Sequence, residues 1–139
     1  MVVSGLIERL DLDRDALRRY LTGDLLLIGL FVAMGEVAHG SNPIAALSSW
    51  AQTTIAFALG WAIAAPVLGA YSKGTLEFKR LAIGLPVLSW AVADAIAQVL
   101  RSTDLFEGDA ALSFYLVAFG TGGAFLAIWR YVAHGRGSS

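Results

Sequence analysis

Four long apolar blocks, separated by short polar stretches, set the pattern of this chain. A bilayer core of roughly 30 Å takes about 20 helical residues to cross, and each block is long enough. The first runs over residues 20–39. The second covers 43–71, with Asn42 placed as an N-cap, Pro43 at the first helical position and Pro66 set to kink its far end. The third takes 81–101, with Pro86 inside it, and the fourth 111–132. Short connections predict sequential antiparallel neighbours. The expected fold is all-α: an integral-membrane four-helix bundle, up-down-up-down, over residues 20–133. An N-terminal amphipathic segment (1–19) precedes it and a short tail (134–139) follows.

Composition agrees with that pattern. Of 139 residues, 57% are hydrophobic and 15% charged, where a soluble domain carries about a quarter charged. Mean hydropathy is +0.66. There is no cysteine, which excludes disulfides and thiolate chemistry. A net charge of −1 argues against a nucleic-acid partner. The first residues lack the basic stretch and apolar core of a cleavable signal peptide, so none is expected.

Charge placement predicts orientation. Arg9, Arg14, Arg18 and Arg19 precede the first span, Lys73, Lys79 and Arg80 lie between the second and third, and Arg130 and Arg136 close the fourth. If four helices cross, all of these fall on one side, and only Arg101 borders the other. The positive-inside rule then places both termini in the cytoplasm of a multi-pass plasma-membrane protein. In the N-terminal segment, Leu6, Leu10, Leu17 and Leu21 recur at near-helical spacing among mixed charges. A helix lying on the cytoplasmic surface is expected there, with a loosely ordered lead-in as the alternative. Asp11, Asp13 and Asp15 open like a calcium loop, but Ala16 and Thr22 stand where Gly and Glu are required. Asp13 or Asp15 is expected to cap a helix instead.

The third block carries its polar residues in a stripe. At 100° per residue, Trp90, Asp94, Gln98 and Arg101 fall within an arc of roughly 80°. Asp94 lies about 5 Å from the midplane by the helical rise, where a charge is costly and needs protein or water around it. Glu36 and His39 should reach the depth of Gln98 and Arg101, and Gln52 lies outward of centre in the second span. The candidate ligand or ion site is therefore Glu36, His39, Gln52, Trp90, Asp94, Gln98 and Arg101. The competing explanation is that these groups satisfy one another and fix helix register. Asp24 is expected to be a polar residue near a helix end.

Gly60, Gly84, Gly120, Gly122 and Gly123 sit inside spans, where small residues let helices approach closely. Trp50 and Trp129 suit aromatic belts, whereas Trp61 and Trp90 fall deeper. His39 and His134 lie at opposite ends, so they cannot share a haem within one chain. There is no metal-spaced His, Cys and carboxylate set, no nucleophile elbow and no phosphate-binding Gly loop. No metal, cofactor or enzyme activity is expected.

Several short motifs resemble those of a family of small four-helix prokaryotic membrane proteins, a domain of unknown function. Asp24 precedes Gly35-Glu36-Val37-Ala38-His39, where the family has an Asp ahead of Gly-Arg-x-x-His. Gly60-Trp61 is followed by Pro66, Trp90 stands eleven residues before Arg101, and Ser113-Phe114 and Trp129-Arg130 mark the two ends of the fourth span. Glu36 replaces the family's usual Arg. The resemblance covers 24–130 and implies the fold; the family has no established activity.

Two functions stay open. The first is transport of an ion or small solute, or ligand binding, by a parallel homo-oligomer through the polar cluster. The second is an accessory or assembly subunit binding a larger membrane protein, a lipid or a pigment. An enzyme acting on lipid is a distant third.

Overall fold

A computed structural model describes residues 12–38, 40, 47–103 and 112–137. Five helices follow in order: α1 (Arg14–Ala38), α2 (Leu47–Val67), α3 (Gly74–Glu77), α4 (Lys79–Arg101) and α5 (Leu112–Gly137). All but the single-turn α3 are long and apolar enough to cross a membrane.

Local chemistry sets the helix ends. The Asp13 carboxylate accepts the backbone N–H of Asp15 at 2.9 Å and of Ala16 at 3.0 Å, an N-cap that starts α1 at Arg14. The Asp13 N–H donates to the Tyr71 carbonyl at 2.8 Å. Thus the charged stretch 14–19 forms the first turns of the spanning helix, six residues before the apolar block at Tyr20. The expected surface segment beyond it, residues 1–11, lies outside the described residues. At the other boundary, α2 ends in a left-handed turn. Gly69 has φ +84°, Ala70 N–H donates to Ala65 O at 2.9 Å and Gly69 N–H to Pro66 O at 3.4 Å. This pairing caps the helix and suits Gly, which alone takes that φ without strain. It also delivers the Ala70 carbonyl and the Tyr71 side chain into the bundle.

The four spans form a ring in which α1 packs on α2 and α5, and α4 packs on α2 and α5. Cross-helix contacts run antiparallel: Gly29 with Trp50 between α1 and α2, and Ala91 with Tyr115 between α4 and α5. Both ends of the described chain therefore lie at one end of the bundle, here the terminal end. Gly60 lets α2 touch α4, since a Cβ there would stand 2.5 Å from the Ala93 carbonyl oxygen. An aromatic cluster fills the centre: Phe31 meets Phe57 and Trp90 edge-on at 5.6 Å, and Phe57 stacks on Trp90 at 5.2 Å. Leu26, Leu30, Ile63, Val99, Val117 and Ile128 face outward. Charged residues inside and aliphatic residues outside make a surface suited to lipid.

Candidate functional site

Two buried polar regions lie on opposite sides of the aromatic cluster. The one at the terminal end is centred on Asp24 and Arg130, both with fully buried side chains. Arg130 Nε donates to Asp24 Oδ1 at 3.0 Å and Nη2 to Oδ2 at 2.7 Å, a bidentate pair. Trp129 Nε1 donates to Oδ1 at 2.9 Å and the Tyr71 hydroxyl to Oδ2 at 2.6 Å. The Tyr71 oxygen in turn accepts from Trp61 Nε1 at 2.7 Å. Arg130 Nη1 donates to Ala70 O at 3.0 Å and, at 3.5 Å, to Ala82 O. Its guanidinium lies 4.1 Å from the Tyr20 ring centre. Burial, with the Asp24 carboxylate beside it, holds the Tyr71 phenol well above the ordinary tyrosine range.

Every spanning helix contributes to this network. Asp24 comes from α1, Trp61 from α2, the Ala82 carbonyl from α4 and Trp129–Arg130 from α5, with Tyr71 and Ala70 on the turn after α2. Gly23 makes room for it, since a methyl group there would overlap the Trp129 indole. One turn beyond Arg130, His134 is also buried, and its ring nitrogens have no hydrogen-bond partner among the described residues.

The second region lies toward the far end, on α4. Asp94 is fully buried and Gln98 nearly so. Gln98 Nε2 donates to Asp94 Oδ1 at 3.0 Å. Asp94 Oδ2 and Gln98 Oε1 have no hydrogen-bond partner among the described residues. Trp90, one turn earlier, uses its Nε1 on the Ala118 carbonyl at 2.9 Å. Arg101 lies 4.5 Å from the Phe114 ring centre, and its charge acts on Asp94.

The expected cluster is thus partly assembled. Trp90, Asp94, Gln98 and Arg101 share one face of α4. Glu36 accepts from Ser49 Oγ at 3.0 Å across α1 and α2, and Gln52 Nε2 donates to Ser48 Oγ at 3.3 Å within α2. His39 lies outside the described residues. Among the glycines, Gly122 lies against Trp90, whose indole nitrogen would be 2.6 Å from an added Cβ, and Gly123 is in ordinary contact range. Added methyls at Gly84 and Gly120 would meet open space.

Asp24 is the main correction to the sequence reading. Placed there as a polar residue near a helix end, it is instead the centre of the best-satisfied polar network. Arg130, counted as a flanking charge, is its ion-pair partner, and Trp129 belongs to the same network. Depth matching, the signal that linked Glu36 with Arg101, also pairs Asp24 with Arg130. The resemblance motifs named Asp24, Trp61, Trp129 and Arg130 separately, and the fold joins them.

Four apolar spanning helices around two buried polar regions define a multi-pass, all-helical membrane protein. The chain belongs to the family described as Protein of unknown function (DUF3054), whose model matches residues 21–133. No curated protein and no solved structure matches it.

Proposed function

We propose that this protein binds and passes a small solute or ion within the membrane, with Asp94 and Gln98 as the exchangeable site. The observation that carries the reading is the open valence of Asp94: a fully buried carboxylate with one oxygen lacking any hydrogen-bond partner among the described residues. A buried acceptor left unmade costs about 1–3 kcal/mol, more when charged. Pure helix glue gains nothing from that cost, whereas a site that must accept and release a ligand requires it.

The aromatic cluster and the Asp24–Arg130 network lie between Asp94 and the terminal end, so access from the far end is the shorter way in. A path across the whole membrane then fits better between copies, in a parallel homo-oligomer. The basic residues at the terminal end favour its placement in the cytoplasm, with the protein in the plasma membrane. Purified protein in liposomes should support uptake of a small permeant solute, and Asp94→Asn should abolish it with the helical content unchanged. Equal flux through the variant would remove Asp94 from the pathway.

A second reading has its own support. An open apolar groove between α1 and α2 is lined by Leu26, Gly29, Leu30, Ala33, Trp50 and Thr54. Such a groove suits a lipid chain held by an accessory subunit. Under that reading Asp94→Asn leaves lipid co-purification intact, and substitution of Gly29 by Leu reduces it.

A further inference from the structure

Resting on the Asp94 reading above, we infer that the ligand is a small ammonium-type cation: ammonium itself or a short protonated primary amine. The polar atoms left open on Asp94 and Gln98 themselves, Asp94 Oδ2 and Gln98 Oε1, are both acceptors. The donors nearest them, Gln98 Nε2 and Trp90 Nε1, are committed to Asp94 and to the Ala118 carbonyl, and the Arg101 guanidinium further along α4 lies over the Phe114 ring. A ligand that completes these acceptors must bring N–H or O–H groups, and a carboxylate selects one that is also positive.

The surroundings favour nitrogen over a metal ion. Among the described residues no group of three His, Cys, Asp or Glu side chains could hold a metal. A bare sodium ion needs more oxygens than one carboxylate and one amide provide. An ammonium group needs only separate acceptors for its N–H bonds, and aromatic rings stabilise its remaining surface. Trp90 precedes Asp94 by one turn of α4 and stacks on Phe57, itself 6.3 Å from Phe114. Arg101 opposes a cation through its charge on Asp94, which keeps binding weak enough for release.

The test is thermal unfolding of the full chain in nanodiscs at fixed pH and chloride, with methylammonium, sodium or choline as the cation. Ligand that binds the folded state raises the midpoint with concentration. Methylammonium should raise it, while sodium, which has no hydrogen-bond donor, and choline, whose bulky quaternary nitrogen has no N–H and whose one hydroxyl lies away from the charge, should not. The response should vanish in Asp94→Asn. In Gln98→Leu it should weaken about tenfold, the usual worth of a hydrogen bond to a charged partner, and this variant decides the matter if Asp94→Asn does not fold. Arg101→Gln should bind more tightly.

Equal shifts with sodium or choline overturn the inference, as do a response retained in Asp94→Asn or no response to methylammonium. The transport reading fails separately. Methylammonium binding without flux would remove transport and leave the site, whereas Asp94-dependent flux of another solute would do the reverse.

Discussion

Asp24 and Asp94 are both fully buried carboxylates in apolar helices, yet they differ in how completely they are answered. Asp24 receives four hydrogen bonds from three side chains, two of them from its own counter-ion. Asp94 receives one, from an amide on the same helix. The first carboxylate ties all four spans together. The second ties α4 only to itself. Removing either partner of a satisfied buried pair strands a charge, so the Asp24 region resists change. An under-satisfied group has less to lose, and under the proposed function it is the one that exchanges a ligand.

The largest expected effect tests the first half of that contrast. Asp24→Ala leaves the Arg130 guanidinium buried without its carboxylate and should destabilise the folded state by about 3–5 kcal/mol. Arg130→Met should cost a similar amount. Combining both should cost much less than the sum, because no uncompensated charge remains. Unfolding of the three variants in one detergent provides the cycle. Additive losses would show that the pair is not a unit.

That pair also shows where the sequence stopped being informative. The four spans were legible because lipid demands unbroken apolar runs, and the α4 stripe was legible because its members share one helical period. The helix over residues 14–19 and its Asp13 cap were legible too, but its continuity with the first span was not, since hydropathy does not register the bond to the Tyr71 carbonyl that ties its start to the bundle. Asp24 and Arg130 lie 106 positions apart. Their meeting depends on α1 packing against α5, and no local pattern encodes which spans become neighbours. Arg130 was also masked by its place at the end of a span, where an unpaired basic residue is ordinary. The same limit applied to Glu36, matched to Arg101 by depth but bonded to Ser49 across α1 and α2.

Packing around the two regions gives a smaller set of effects. Gly23→Ala drives a methyl into the Trp129 indole that serves Asp24, and Gly122→Ala drives one into Trp90. Overpacking of this kind costs about 1–3 kcal/mol. Gly84→Ala and Gly120→Ala meet open space and should be neutral or stabilising by up to about 1 kcal/mol, the helix preference of Ala over Gly. A common loss at all four sites would mean that helix packing alone does not distinguish them.

Tyr71→Phe comes next. It removes the hydroxyl between Trp61 and Asp24 and should cost about 1–2 kcal/mol. It should also change the alkaline limb of stability. Folding raises the Tyr71 phenol above its unfolded value, so its contribution is complete below a pH of about 10 and declines as pH rises beyond that. The variant should lose that part of the slope. An unchanged slope would mean that the phenol's proton is not tied to folding.

The smallest expected change in stability sharpens the contrast most. Asp94→Asn removes the buried charge and keeps the shape of the side chain. The Gln98 amide can still donate to the carbonyl oxygen of the new residue, so the one hydrogen bond made here survives. The carboxylate oxygen that had no hydrogen-bond partner among the described residues becomes an amide NH2 on the same open side, so one unmet polar group replaces another. The unfolding free energy should therefore shift by less than about 1 kcal/mol, in either direction. Asp24→Asn should lose several times as much, because it leaves the Arg130 charge uncompensated. Measured side by side, the two conservative variants separate a structural carboxylate from an exchangeable one. If Asp94→Asn were as damaging as Asp24→Asn, the far-end carboxylate would be structural too, and the case for a binding site there would fall with it.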